Sequence, residues 1–166
     1  MVQLRAKGLA SGPLLELARV MVRDLKVPVI LNDRADIAIL AGAAGVHLGA
    51  DDLPVGRVRA LAPDGFIIGA SVGNDDELGN ARGADYVGVG PVYSTASKSD
   101  AGDALGAAEV ARLITASGLP GAGIGGITIA NAREVLDAGA HGIAVLTALQ
   151  RDPETAARAL RSAIGR

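Results

Sequence analysis

A TIM-type (β/α)₈ barrel, truncated to about seven βα units, is the fold class that three features of this sequence predict. Short apolar runs alternate with helix-compatible stretches from one end of the chain to the other. No two runs are joined by a hairpin turn, so the strands they form would be parallel. Successive runs mostly lie about twenty residues apart, the length of a minimal βα unit. A doubly wound open sheet has the same alternation and is the competing architecture.

The apolar runs are Val2-Gln3-Leu4, Val27 to Leu31, Gly45 to Leu48, Phe66 to Ala70, Tyr86 to Val89, Pro120 to Ile124 and Gly142 to Leu146. Each has the length of a strand buried on both faces. Between the first two, Ser11 is placed to cap a helix with Pro13 in its first turn. Leu14, Leu17, Ala18, Met21 and Leu25 then fall on one helical face. Further helices are expected over Asp36 to Leu40, Val55 to Leu61, Asp75 to Arg82, Ala107 to Ser117, Ile129 to Ala138 and Pro153 to Ile164. Gly79 weakens the fourth of these seven. A faint echo recurs at Ala41-Gly42, Gly83-Ala84 and Ala138-Gly139, each reading as a helix end, a glycine cap and entry into a strand. No linker or composition break divides the chain, so residues 1–166 read as a single barrel domain.

Composition narrows the function. With 16 Lys+Arg against 18 Asp+Glu, one Phe, two Tyr and no Trp, the chain lacks the basic, aromatic surface of a nucleic-acid binder. The absence of cysteine excludes disulfides, zinc-thiolate sites and cysteine catalysis. No apolar run is long enough to span a bilayer, and no signal-peptide pattern opens the chain, so the expected compartment is the cytoplasm. Glycine, 23 of 166 residues, is about twice its usual share and gathers at the ends of the apolar runs.

Barrel enzymes place their chemistry at the carboxyl ends of strands, so the polar residues there are the candidates. Gln3, Arg5 and Lys7 share one face of the first strand end and could grip a phosphate or pyrophosphate, or could be a solvated terminus. Asn32-Asp33-Arg34 and Asp51-Asp52 end the second and third runs. Their carboxylates could converge on Mg²⁺ completed by substrate phosphate, or could cap helices. His47 lies within a strand, where a core histidine is the commoner role, and His141 reads as surface structure. Ser71 offers a hydroxyl at a strand mouth, or an ordinary turn.

The stretch Gly88 to Lys98 runs from a strand into the chain's longest connection, a candidate lid in which Thr95, Ser97 and Lys98 could hold phosphate oxygens. Gly123-Ile124-Gly125-Gly126-Ile127 and Ala144 to Ala148 end the last two strands. Barrels often bind phosphate there on backbone N–H groups, and Gly126 would let the backbone approach it. The residues thus read as a Mg²⁺-dependent barrel with two phosphate grips, for two phosphorylated substrates or one bisphosphate.

In combination, Gln3-Leu4-Arg5-x-Lys7, Asn32-Asp33-Arg34, Gly45-Val46-His47-Leu48-Gly49-x-Asp51-Asp52-Leu53-Pro54, Ala84-Asp85-Tyr86-Val87-Gly88, Gly90-Pro91-Val92-Tyr93-x-Thr95-x-Ser97-Lys98 and Gly125-Gly126-Ile127 resemble the thiamine phosphate synthase family. They follow that family's order and spacing over essentially the whole chain. The resemblance implies joining an aminopyrimidine-methyl diphosphate to hydroxyethylthiazole phosphate with release of pyrophosphate. In that family the pyrophosphate leaves first, stabilised by Mg²⁺ and cations, and the thiazole nitrogen captures the pyrimidine methyl cation.

By matching motif, the resemblance implies that Gln3, Leu4, Arg5, Ala6, Lys7, Asn32, His47, Ser71 and Lys98 bind the pyrimidine diphosphate. Arg5, Lys98 and Ser71 would be the catalytic residues among them, and Asp33 and Asp52 the Mg²⁺ ligands. Thr95, Ala96, Ser97, Gly126, Leu146 and Thr147 would take the thiazole phosphate. The family carries one more strand and helix before the Gln-x-Arg-x-Lys strand, so the open strand edges imply either a homo-oligomer that shares or exchanges elements or a marginally stable, distorted first strand. Ser94 stands where the family usually has Pro, Ser97 where it has Thr and Ala50 where it often has Gln. Two other readings are a related thiazole tautomerase and a non-catalytic protein that binds a phosphorylated ligand.

Overall fold

Apolar runs too short for a helix and bare of charge form strands, and the amphipathic stretches between them cover those strands. The computed structural model describes residues 1–95 and 102–165. It falls into two units, Met1–Ser71 with Asn80–Asp85, and Val72–Gly79 with Tyr86–Arg166.

In the first unit the elements are β1 (Val2–Leu4), α1 (Ser11–Asp24), β2 (Val29–Asn32), α2 (Ala35–Ala41), β3 (Gly45–Leu48), α3 (Val55–Arg59) and β4 (Ile67–Val72), the last residue of β4 belonging to the second unit. The strands are parallel and ordered as in the sequence. Leu4 stands beside Leu31, Asn32 beside His47, and Leu48 beside Ala70, so the carboxyl ends of neighbouring strands lie together. Val29, Ile30 and Leu31 are all buried, which is why β2 reads as an unbroken apolar run rather than an alternating one.

Two expectations for α1 are corrected. Ala10, not Ser11, is its N-cap, and the Ser11 hydroxyl instead accepts a bond from Arg34 Nη1 at 3.1 Å. Of the five apolar residues on its expected face, only Leu14 and Ala18 are buried; Leu17 and Leu25 are exposed.

The second unit contains β5 (Tyr86–Val89), α4 (Ala107–Ser117), β6 (Gly121–Ile124), α5 (Ala132–Asp137), β7 (Gly142–Ala144) and α6 (Pro153–Ala163). Its strands are parallel in the order β5-β6-β7. Val110, Leu113 and Ile114 form the buried stripe of α4 at helical spacing. Asp75–Ala81 is a 3-10 helix, not the expected α-helix. Asn74 and Glu77 bind each other reciprocally at its start: the Glu77 N–H donates to Asn74 Oδ1 at 3.2 Å, and Asn74 Nδ2 to Glu77 Oε1 at 3.1 Å.

The helix at 129–138 shrinks to α5 because Thr128 to Asn131 are spent on a turn, and the last strand stops at Ala144 rather than Leu146. Gly42, Gly83 and Gly139, the three echo glycines, all adopt positive φ. Among the described residues no helix is long and apolar enough to cross a membrane.

The Ala84-Asp85 motif is a clasp of the first unit. Asp85 Oδ2 accepts from Ile68 N–H at 2.7 Å and from Arg59 Nη2 at 2.7 Å, while Arg59 Nη1 donates to the Phe66 carbonyl at 2.6 Å. Burial would push the Asp85 carboxyl up, but the Ile68 N–H and Arg59 together hold it below the usual range. A depressed folded pKa stabilises above the ordinary carboxylate range, and the gain is lost as pH falls through the folded value. Arg59→Ala should therefore cost about 1–2 kcal/mol at neutral pH in urea unfolding, since the pair is partly exposed. The cost should shrink, without vanishing, in acid below the ordinary carboxylate range, as Asp85 protonates. An equal cost at both pH values would show that the ion pair contributes nothing.

Candidate active site

The parallel register of the first unit gathers polar side chains at its strand ends. Past β2 the chain turns within three residues: Arg34 N–H donates to the Asn32 carbonyl at 2.7 Å, and Ala35 N–H to the Asp33 carbonyl at 3.1 Å. The first turn forces Asp33 to φ 64°, the one non-glycine residue with positive φ among those described. Aspartate tolerates that region better than most residues, yet strain of this kind marks functional positions. Asp33 N–H is anchored to the His47 carbonyl on β3 at 2.8 Å, which fixes where the turn stands.

Asp52 follows β3 and is fixed by Gly49 N–H, which donates to its Oδ2 at 2.6 Å. Its carboxyl also meets that of Asp33. Burial, then the hydrogen bond and charge of Asp52, push Asp33 up to about 6 against the opposing pull of Lys7 and Arg5. Four sequence-predicted residues therefore converge: two carboxylates facing each other, with two cations at their side. Arg5 is half-buried, and its Nε is buried with no hydrogen-bond partner among the described residues. An orphaned guanidinium N–H beside a second cation is a donor waiting for an anion.

This donor set fits a divalent cation. Facing carboxylates repel, and a cation between them removes the repulsion. Among the described residues no group of three or more His, Cys, Asp or Glu converges.

Beside this cluster, His47 Nε2 and Ser71 Oγ lie 3.0 Å apart, with Asn32 paired to His47 in the strand register. His47 is thus half-buried and bonded to another candidate rather than packed in the core. Gln3 is exposed within β1, beside Ile30 in register. Leu4 is a core residue, its side chain spent on packing. Ala6 is half-buried, and its carbonyl accepts from Leu9 N–H at 3.1 Å. Arg34 is committed to Asp36 and Ser11. Ala96, Ser97 and Lys98 lie outside the described residues.

The second unit holds an open cavity of about 590 Å³. Thr95, Gly126, Leu146 and Thr147, predicted together, all line it. Sequence reasoning missed Thr128 and Gln150, and named Ser94, Ile127 and Ala148 only as members of the stretches that hold the candidates. The walls are amphipathic: hydroxyls of Ser94, Thr95, Thr128 and Thr147 and the Gln150 amide on one hand, Ile127, Leu146 and Ala148 on the other. A 3-10 helix over Thr147–Leu149 follows β7, and its period of three explains why Thr147 and Gln150 share a face.

Gly126 was expected to admit a ligand close to the backbone. Its first requirement is internal: it has φ 65°, and a Cβ there would lie 2.7 Å from Tyr93 Cβ and 2.8 Å from the Ser94 carbonyl oxygen. His141, as expected, is structural, its Nδ1 accepting from Gly121 N–H at 3.2 Å.

Known proteins similar to this chain identify its family. The thiamine-phosphate synthase of Methanoculleus marisnigri is 48% identical over 170 residues, covering 98% of this chain and 81% of the relative. The solved structure of a thiamine phosphate pyrophosphorylase from Pyrococcus furiosus superposes with a TM-score of 0.86 at 35% identity, over 98% of this chain and 81% of that one. A 3-hexulose-6-phosphate synthase structure, at 22% identity and a TM-score of 0.69 over 98% of this chain and 86% of that one, shares the fold alone. The fold class expected from the sequence, an α/β chain of the TIM-barrel type with seven parallel strands, therefore stands. A family model described as thiamine monophosphate synthase matches residues 1–149, and it is to this family that the chain belongs.

Proposed function

We propose that this protein is a Mg²⁺-dependent transferase that makes thiamine phosphate from an aminopyrimidine-methyl diphosphate and hydroxyethylthiazole phosphate. The observation that carries the reading is the convergence of Arg5 and Lys7 on the facing Asp33 and Asp52 carboxylates, with Arg5 Nε unpartnered among the described residues. A leaving diphosphate needs that arrangement, and a proton-transferring thiazole tautomerase does not.

The reaction breaks the carbon–oxygen bond between the pyrimidine methylene and the diphosphate, and forms a carbon–nitrogen bond to the thiazole. Arg5 and Lys7 would hold diphosphate oxygens. Asp33 and Asp52 would hold Mg²⁺, which when bound offsets the charge that develops on the leaving pyrophosphate. Ser71, oriented by His47, and Asn32 would fix the pyrimidine end. The cavity of the second unit suits the other substrate: hydroxyls and an amide for a phosphate, and Ile127, Leu146 and Ala148 for an apolar ring.

Self-association and a cytoplasmic location complete the proposal. β1 is paired on one side only among the described residues, and Val2, Leu17 and Val20 are exposed apolar side chains of the same unit. A homo-oligomer would cover them. Light scattering should then find an assembly larger than one chain that Val20→Glu weakens; a monomer at micromolar concentration refutes this part.

The purified chain, given both substrates and Mg²⁺, should release thiamine phosphate and pyrophosphate in equal amounts. Asp33→Ala should lower kcat/KM by at least about 10²-fold. Turnover unchanged by that substitution or by chelation would refute the metal assignment, and ligand binding without turnover would favour the non-catalytic reading.

A second test needs no activity. The Asp33 carboxyl, normally near 3.8, is raised to about 6, so the folded state binds its proton more tightly than the unfolded chain does. The stability it contributes is fullest below the ordinary value and is lost as pH rises through about 6. Asp33→Asn, which keeps the positive φ accessible, should be more stable than the parent at pH 7.5 by about 1 kcal/mol after solvent screening, and no more stable at pH 4. Mg²⁺ should raise the Tm of the parent at pH 7.5 and leave that of Asp33→Asn unmoved. An equal rise in both proteins places the ion elsewhere.

A further inference from the structure

The start of α5 carries two side chains that reach back to the cavity wall without lining it. Asn131 stands at the N-cap position, yet its side chain makes no cap bond to α5. It is spent on the preceding turn instead. Its Oδ1 accepts from Thr128 N–H at 2.7 Å, and its Nδ2 donates to the Gly126 carbonyl at 3.1 Å. One amide therefore spans the turn from both ends. The turn needs it, because Gly125 at φ 100° and Gly126 at φ 65° are consecutive residues with wide conformational freedom.

Glu134 lies three residues on, on the same helical face, and accepts from Tyr93 OH at 2.8 Å. Tyr93 is tied at its other end as well: its N–H donates to the Gly125 carbonyl at 3.1 Å, and Val92 N–H to the Ile124 carbonyl at 2.8 Å. Ser94 and Thr95, which line the cavity, follow Tyr93 directly; Gly126 and Thr128, which line it too, belong to the Asn131 turn. The two walls meet where Gly126 leaves no room for a side chain against Tyr93 and Ser94. A single helix start thus grips both walls, one with each side chain.

We propose that Asn131 and Glu134 are positioning residues for the cavity, fixing where the Ser94, Thr95 and Thr128 side chains stand and so setting its affinity for a phosphorylated thiazole. The inference rests on the assignment of that substrate to the cavity. It adds residues that touch neither substrate and act through the turn and through Tyr93.

The test measures KM for each substrate separately, alongside Tm. Asn131→Ala should raise the thiazole phosphate KM by about tenfold and move the pyrimidine diphosphate KM by less than about twofold. Tyr93→Phe should shift the same KM by about threefold, and Glu134→Ala likewise, with Glu134→Gln recovering most of the loss because it retains an acceptor oxygen. Should Asn131→Ala fail to fold, Tyr93→Phe and the Glu134 pair carry the test. Equal changes in both KM values, or a Tm loss with neither KM changed, would reduce these residues to structural support and overturn the proposal.

Ala148→Trp, which fills the cavity from a different element, separates the two levels of the argument. If it raises the thiazole phosphate KM while Asn131→Ala and Tyr93→Phe do not, the positioning role fails alone. If it leaves that KM unchanged, the cavity assignment fails and the proposal falls with it.

Discussion

Parallel pairing brings the carboxyl ends of neighbouring strands to one place, and the candidate catalytic cluster depends on it. The first unit shows how. Three strands in register set Leu4 beside Leu31 and Asn32 beside His47, so the residues that follow, Arg5, Asp33 and Asp52, emerge near one another although they are distant in sequence. An antiparallel partner would send every second strand end to the opposite side of the sheet. The buried runs of β2, β3 and β4 supply the burial that holds this register, and none of their buried side chains is polar. Stability and chemistry are therefore divided along each strand: apolar along its length, polar just beyond its end.

The polar ends carry the costs of that arrangement. Asp33 sits at positive φ in a turn closed by its neighbours, with its carboxyl against that of Asp52. Each feature alone is unfavourable, and their coincidence at one residue is informative. Asp85 offers the contrast. It is also a carboxylate beside an arginine, but its Oδ2 is engaged by a backbone N–H and by Arg59 within the protein, and its pKa is held down. Both aspartates belong to recognisable motifs; only the physical state of each carboxyl separates the structural one from the candidate ligand.

The same distinction explains what the sequence could show. Strands were legible because a run such as Gly45 to Leu48 has no competing structure, and its bounds are those observed. The polar residues after each run were legible because a parallel α/β chain must collect them. Less legible were features set by side chains returning to the backbone: Asn74 and Glu77 turning Asp75–Ala81 into a 3-10 helix, or Asn131 delaying the start of α5. Asn131 left a trace, standing three residues after Thr128 in the spacing of a capping interaction. Tyr93 and Glu134, 41 residues apart, left none, since only the folded chain brings them together.

Catalysis by positioning and electrostatics makes a specific demand on such a scaffold: polar groups must keep their places before the substrate arrives. In the first unit that order is supplied by backbone groups: Gly49 N–H donates to Asp52, and the His47 carbonyl accepts from Asp33 N–H. In the second, the wall-forming turns contain two glycines at positive φ, and backbone pairing alone leaves such residues free to take other conformations. Side chains from outside the cavity must then provide the order. A glycine-rich ligand wall that packs tightly against a neighbouring loop therefore requires a polar clamp close by in the fold, and the start of α5 is where this chain has one.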